Sequence, residues 1–380
     1  MEKKKIIRLT TVPLSLNVFC KDLLKELSKD YEVVAVSSPG KDLEEVAQRE
    51  GVRTIAIPIE RRMSPFKDLK TLFSLIKIFK KEKPAMIHSM TPKAGLLGMM
   101  AAKFAGVKVR IHTFTGLVFP SATGIKRRIL KFTDKLTCKY ATRVIPEGKG
   151  VMKDLLENKV TKKPLKVLGN GNVRGVDMNY YCLGDEVKAK AGNLRKDDVF
   201  TFLFVGRVVA DKGINELVEA FSKLYDEKPN IRLLLVGGFE EGVDPVSEKT
   251  KDLILNHEGI SLYGWKDDVR EFYAASDCFV LPSYREGFPN SVLEAGAMGK
   301  PCIVTDINGA NEIIVEGENG LIVPPKNAEA IYSAMKRIFE DKDLYNKLQM
   351  NARPMVESRF ERGYVWSCLK DCYKEELKDV

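Results

Sequence analysis

The sequence has no run of 18 uncharged apolar residues and no low-complexity tract, so neither a membrane-spanning helix nor a disordered chain is expected. Cysteine is scarce and unpatterned. The seven residues, Cys20, Cys138, Cys182, Cys278, Cys302, Cys368 and Cys372, are odd in number, scattered and never spaced C-x-x-C. That argues against a disulfide framework and a thiolate metal site, and they are read as reduced, mostly buried, small apolar residues. Asp-x-Asp occurs once, at Asp341-Lys342-Asp343, beside a helix end and far from every ligand-type turn. A Mg²⁺ or Mn²⁺ clamp therefore has little support, and no metal or other cofactor is expected. No Walker lysine and no DNA- or RNA-binding signature is present, so no nucleic-acid partner is expected. The basic start, Met1 to Lys5, is followed only by Ile6 to Leu9 before Thr10, Thr11 and Pro13. That stretch is too short for the apolar segment of a secretory signal, and the protein is expected in the cytoplasm.

What is present is the composition of a globular protein, 44% hydrophobic and 30% charged over 380 residues, with room for about two domains. Its charge is divided unevenly. Residues 1–180 hold 36 Lys+Arg against 17 Asp+Glu, whereas the remainder holds 26 against 35. A basic half beside an acidic one implies that one domain faces something polyanionic: nucleic acid, an acidic membrane surface or a phosphorylated substrate.

Short β-branched runs alternate with amphipathic segments, the pattern of parallel βαβ units and an α/β fold. Strands are predicted at 6–9, 33–37, 54–58, 86–88, 109–112, 143–146 and 165–168, then at 202–205, 233–236, 261–263, 278–281, 302–305 and 321–323. Predicted helices include 18–28, 43–50, 67–81, 95–105, 126–140, 148–156, 214–225, 328–339 and a final one over 360–377. The boundary falls at 175–198, where Asp185 to Asp198 is charged and lacks a strand pattern. This gives an N-terminal doubly wound domain over 1–180 and a second over 198–359.

In open parallel sheets ligands bind outside the carboxyl ends of the strands, so the residues where strands stop are informative. At Gly206-Arg207-Val208-Val209-Ala210-Asp211-Lys212-Gly213 a strand turns through glycine and two cations into a helix; Arg207 and Lys212 can neutralise phosphates there, or be solvated turn residues. At Glu286-Gly287-Phe288-Pro289-Asn290-Ser291-Val292-Leu293-Glu294, Asn290 is a good N-cap. The helix is expected to begin at Ser291, with the N–H groups of Ser291, Val292 and Leu293 forming an anion site. Glu286 and Glu294 can reach the same ligand, accepting hydrogen bonds from sugar and ribose hydroxyls, with Arg207 and Lys212 offsetting their charge. Otherwise Glu294 is an exposed helical acid favoured by the dipole.

These segments, with Leu234-Leu235-Val236-Gly237 and Glu318-Asn319-Gly320-Leu321, resemble the family 4 retaining glycosyltransferases over nearly the whole chain. The resemblance implies a GT-B fold: two Rossmann-like domains facing a central cleft, an acceptor domain first and a nucleotide-sugar donor domain second, with the 360–377 helix crossing back onto the first. It implies Gly206, Arg207 and Lys212 at the donor diphosphate and Glu286 on the donor sugar. Glu294 falls on the ribose, Ser291 and Val292 supply N–H groups to phosphate, and Trp265 and Lys266 border the base. Gly287, Phe288, Pro289 and Asn290 complete this donor loop. Thr91-Pro92-Lys93-Ala94-Gly95-Leu96-Leu97-Gly98 resembles the bacterial subgroup that builds capsule, exopolysaccharide or lipid-linked oligosaccharide.

The chain departs from that pattern in two places. Where many relatives carry a histidine after the strand at 109–112, this one reads Thr113-Phe114-Thr115-Gly116, which leaves His88, His112, Thr115 and Gly116 as acceptor-side residues. The glycine pair of the first βα loop is replaced by Thr10-Thr11-Val12-Pro13. The reading that results is a metal-independent transferase moving a sugar from a UDP donor to a lipid-linked glycan. A nucleotide-sugar epimerase and a basic nucleic-acid-binding module are the alternatives. Arg61, Arg62, Lys67, Lys70, Lys77, Lys80, Lys81 and Lys83 flank or decorate a helix whose apolar Phe66, Leu69, Leu72, Phe73, Ile76 and Phe79 read as a core-facing stripe. With Lys126-Arg127-Arg128-Ile129-Leu130-Lys131-Phe132, the basic residues suggest a peripheral partner in the anionic membrane surface.

Overall fold

The computed structural model describes residues 3–240, 242 and 244–380; Met1 and Glu2 of the basic start, with Glu241 and Val243, lie outside the described residues. The chain divides into two units, residues 1–175 with 363–380, and 176–362.

The first unit contains β1 (Lys5–Leu9), α1 (Pro13–Phe19), α2 (Leu23–Leu27), β2 (Glu32–Ser37), α3 (Lys41–Glu50) and β3 (Arg53–Ala56). It continues through α4 (Pro65–Glu82), β4 (Met86–Met90), α5 (Pro92–Phe104), β5 (Val109–Phe114), α6 (Gly124–Tyr140), β6 (Arg143–Pro146) and α7 (Lys149–Glu157). The sheet runs β3-β2-β1-β4-β5-β6, all parallel. Ile7, Leu9, Val34 and Ile87 pack against α4, α5 and α6 on one face, and Ile6, Val33, Ala35 and Ile111 against α1 to α3 on the other. Burial on both faces is why these strands read as continuous apolar runs.

The second unit contains α8 (Asp185–Gly192), β7 (Phe200–Val205), α9 (Ile214–Glu227), β8 (Ile231–Val236), α10 (Glu248–Asn256), β9 (Ile260–Leu262), α11 (Arg270–Ala275) and β10 (Cys278–Leu281). Then come α12 (Asn290–Ala297), β11 (Cys302–Thr305), α13 (Ala310–Ile313), β12 (Gly320–Val323), α14 (Ala328–Glu340) and α15 (Lys342–Phe360). Its sheet repeats the doubly wound order, β12-β11-β10-β7-β8-β9. A last helix, α16 (Arg362–Glu376), buries Val365, Leu369, Cys372 and Tyr373 in the first unit.

Three expectations are corrected, and one long helix goes beyond them. Residues 165–168 form no strand; Leu165 and Leu168 lie half-buried against the two cores of the first unit without a ladder partner. The helix predicted over 18–28 is two, because Asp22 takes a left-handed conformation (φ 62°) at the start of α2. There the buried Glu50 carboxylate accepts from the N–H groups of Asp22 (2.9 Å) and Lys25 (3.1 Å) and caps the second piece. The 19-residue α15 was not predicted; it carries Pro354 in its interior, a residue that argues against a helix in sequence. On α4 the six apolar residues subtend too much of the circumference for one sheet to cover. Phe79 is buried and Leu72 and Ile76 half-buried, but Phe66, Leu69 and Phe73 are exposed.

Candidate active site

Chain order reverses in the second sheet between β7 and β10, the place where open parallel sheets take their ligands. The loops that follow these two strands are pressed together at their bases. Gly213, at φ +71°, has no room for a side chain, since a Cβ there would overlap the carbonyl of Pro282. This contact sets Lys212 opposite Glu286: Nζ and Oε1 are 2.5 Å apart, and Glu286 also accepts from the Ser283 hydroxyl at 2.8 Å. Arg207 is half-exposed and pairs with Glu240, in the loop after β8. Sequence reading expected the two cations to offset Glu286 and Glu294. The structure pairs Lys212 with Glu286, but gives Arg207 a carboxylate that no motif singled out.

Helix α12 begins one residue earlier than expected. Asn290 is its first residue, and the cap position is Pro289, extended and without a capping side chain. Leu293 therefore leaves the set of first-turn N–H groups. The Val292 N–H donates to the Pro289 carbonyl at 3.2 Å. Glu294 is buried, not the solvated acid of the alternative reading; the Tyr273 hydroxyl donates to the Ser291 carbonyl (3.1 Å) and lies 3.4 Å from Glu294 Oε2. Complete burial pushes the Tyr273 phenol far above its ordinary value, so it stays a donor. Phe288 is buried against Phe360, ring centroids 5.5 Å apart, and anchors the loop carrying Gly287 and Pro289. Gly206 lies at the end of β7, and Trp265 and Lys266 follow β9 on the surface, Trp265 with its indole N–H 3.4 Å from Asp267. Asn319 of the Glu318 to Leu321 segment is a buried turn residue, accepting from Val315 N–H and donating to the Ile313 carbonyl.

In the first unit the reversal lies between β1 and β4. Thr11 accepts from Ala94 N–H at 3.1 Å and bonds the Thr91 hydroxyl at 2.8 Å, so the first loop caps α5. Gly95 lets that helix approach β5; a Cβ there would run into the His112 ring. Thr115 and Gly116 are half-buried just beyond β5.

His88 and His112, the acceptor-side candidates, lie on β4 and β5. Both are buried and partnered. His88 Nδ1 lies 2.6 Å from the Arg8 guanidinium and from Tyr373 Oη, and Nε2 lies 2.7 Å from Thr113 Oγ1. His112 Nδ1 bonds Ser89. Desolvation, joined at His88 by the Arg8 charge, holds His88 well below its usual range and lowers His112 to about 3. Each stays neutral, with both ring nitrogens of His88 and the Nδ1 of His112 engaged by protein groups. Sequence reasoning missed Arg8, a fully buried guanidinium that donates to the Tyr373 hydroxyl (2.5 Å) and to Met90 Sδ (2.9 Å), tying α16 to β1. The signal was an arginine inside the apolar run Ile6-Ile7-Arg8-Leu9.

Two doubly wound units of this kind, the second with cations and carboxylates gathered where its strand order reverses, make up the GT-B architecture of sugar-nucleotide enzymes. The chain belongs to the glycosyltransferases: residues 9–147 match the family Glycosyl transferase 4-like, and residues 185–355 match Glycosyl transferases group 1. It is 31% identical over 380 residues to the capsular polysaccharide biosynthesis glycosyltransferase CapM of Staphylococcus aureus, covering 100% of this chain and 99% of that one. It is also 32% identical over 337 residues to the UDP-Gal:alpha-D-GlcNAc-diphosphoundecaprenol alpha-1,3-galactosyltransferase of Escherichia coli, covering 85% and 84% of the two chains. The crystal structure of a glycosyltransferase from Rickettsia africae superposes with a TM-score of 0.83 at 25% identity, covering both chains fully.

Proposed function

We propose that this glycosyltransferase moves a hexosyl or N-acetylhexosaminyl group from a UDP-sugar, with retention, to a hydroxyl of a lipid-linked glycan in capsule or related polysaccharide biosynthesis, working peripherally at the inner face of the plasma membrane. The observation that carries it is the Lys212–Glu286 pair, with Arg207 on the same segment after β7, at the strand-order reversal of the second unit. A diphosphate drawn to the two cations would leave Glu286 close to the sugar, in position to accept from its hydroxyls. Glu294, held beside Tyr273, would take the ribose.

As the bond from the anomeric carbon to the β-phosphate oxygen breaks, negative charge grows on the leaving UDP, which Arg207 and Lys212 would stabilise in exchange for their carboxylate partners. The acceptor hydroxyl bonds the anomeric carbon on the face the phosphate leaves, and its proton passes to the departing phosphate oxygen. No protein base is needed, which fits a chain with Thr115 in the histidine position. Two cations and a helix N-terminus supply the charge stabilisation that a divalent ion gives elsewhere, so the reaction is proposed to be metal-independent. UDP and diphosphoundecaprenol in the name of the Escherichia coli relative support the donor and acceptor classes, and the S. aureus relative supports the pathway. The epimerase alternative has no observation in its favour over transfer.

A panel of nucleotide sugars tests the reading. A UDP-sugar should raise the melting temperature most, because a ligand of the native state alone stabilises it. That donor should be turned over on a polyprenyl-diphosphate glycan with activity unchanged after dialysis against chelator. Protection by no nucleotide sugar, or activity lost to chelator and restored by Mg²⁺ or Mn²⁺, would overturn it.

A further inference from the structure

Helices α4, α5 and α6 form one layer on the first sheet, with α5 packed between the other two. Each outer helix begins at the carboxyl end of the sheet and carries an uncovered apolar strip in its first turns. On α4 it is Phe66 (90% exposed), Leu69 and Phe73 (63%); on α6 it is Ile125 (75%), Ile129 and Phe132 (60%). Spacings of three and four residues put each trio on one side of its helix.

Cations flank both strips. Lys70, Lys77, Lys80 and Lys81 are exposed along α4, and Lys126, Arg128 and Lys135 along α6. One exposed carboxylate, Glu60, stands beside the α4 strip, paired with Lys67 at 2.6 Å; the acids on the two helices themselves are tied up or buried. Asp68 is tied to Lys93 at 2.8 Å, Glu82 is paired with Lys5 and Arg53, and Asp134, the one acid on α6, is buried. Arg127 and Lys131 do not belong to the surface set. Arg127 donates to Pro120 and Asn158 and lies over the Phe119 ring, and Lys131 is half-buried.

We infer that these two strips form a platform that seats the first unit on an anionic lipid bilayer, with Phe66, Phe73, Ile125 and Phe132 entering the acyl boundary and the neighbouring cations meeting lipid phosphates. Aromatic and aliphatic residues on one side with Lys and Arg beside them are what a helix lying in a membrane interface needs. A protein partner is the poorer fit, because interface cores are depleted in lysine, whereas here exposed lysines share α4 with the uncovered Phe66, Leu69 and Phe73. No described helix is long and apolar enough to cross a membrane, so attachment is by insertion of side chains and by charge. The platform deepens the peripheral location proposed above and rests on that reading for its purpose, but lipid binding is measurable without any transfer.

The test is co-sedimentation of the full chain with vesicles of phosphatidylglycerol and phosphatidylcholine, against vesicles of phosphatidylcholine alone, at low and high salt. The wild type should bind the anionic vesicles and lose most, not all, of that binding at high salt. Phe66→Ser with Phe132→Ser should lower the partition coefficient by about tenfold or more without lowering the melting temperature, since both rings lie outside the core. Lys70→Glu with Arg128→Glu should lower it at least as far and abolish the preference for anionic lipid. The platform is refuted if the wild type ignores anionic vesicles at low salt, or if the phenylalanine variants partition as it does. It is also refuted if these residues drive dimerisation in place of lipid binding. UDP-sugar protection, measured on the same samples, keeps the two readings apart: protection without vesicle binding removes the platform alone, and vesicle binding without protection removes the donor reading alone.

Discussion

Arg207 and Lys212 each meet a carboxylate, Glu240 and Glu286, so a donor diphosphate must compete with both pairs. What it gains is charge stabilisation that strengthens as the phosphate leaves. Arg207→Ala or Lys212→Ala should therefore lower turnover by roughly 10² or more while leaving the melting temperature near that of the wild type; unimpaired turnover in both would remove them from the reaction. The two glutamates separate by their partners. Glu286 neutralises Lys212, so Glu286→Ala should leave UDP affinity intact or raised while it impairs sugar transfer. Glu294 is buried beside Tyr273, and Glu294→Ala should weaken UDP and UDP-sugar alike. Isothermal titration with UDP distinguishes these outcomes, and equal losses from the two variants would contradict the division.

Helix α5 shows how an element becomes dependent on single residues. Its first turn is capped from another loop by Thr11, and its close approach to β5 depends on Gly95. The ring that a methyl at 95 would strike cannot move aside, since His112 bonds Ser89 and stands edge-on to Phe114 at 4.5 Å. Gly95→Ala should lose about 1–3 kcal/mol by overpacking, read in urea unfolding, although alanine is the better helix former. No loss would mean that the ring has somewhere to go. Element boundaries were legible to different degrees for related reasons. β10 and β11 stand where their apolar runs stop, because strands covered on both faces need an unbroken run. The start of α12 was misplaced by one residue because Asn290 is a better cap than the proline that holds the position. The exposed face of α4 could not be told from the buried one, since both are apolar and only the sheet's reach separates them.

Stability of the whole molecule should carry the mark of Asp134. Burial on α6 pushes its carboxyl from 3.8 up to about 7. Between those values the folded chain keeps a proton that the unfolded chain has released, so stability falls as pH rises through this window, and the loss is complete above about pH 8. Asp134→Asn removes that contribution. Its melting temperature should gain on the wild type as pH goes from 5 to 8; a constant difference between them would show that the carboxyl ionises freely in the fold.

The sequence by itself determined the two doubly wound sheets, the basic and acidic halves, and the segments around Arg207, Lys212, Glu286 and Glu294, because periodicity, charge and turn chemistry are local and survive in the order of residues. Pairing across distance was decided only by tertiary structure. Arg8 meets Tyr373 across 365 positions, Arg207 meets Glu240 across 33, and His88 and His112 are enclosed by residues from other strands and helices. The same holds for the exposed aromatic strips, since an apolar residue becomes a core residue only when some other part of the chain arrives to cover it.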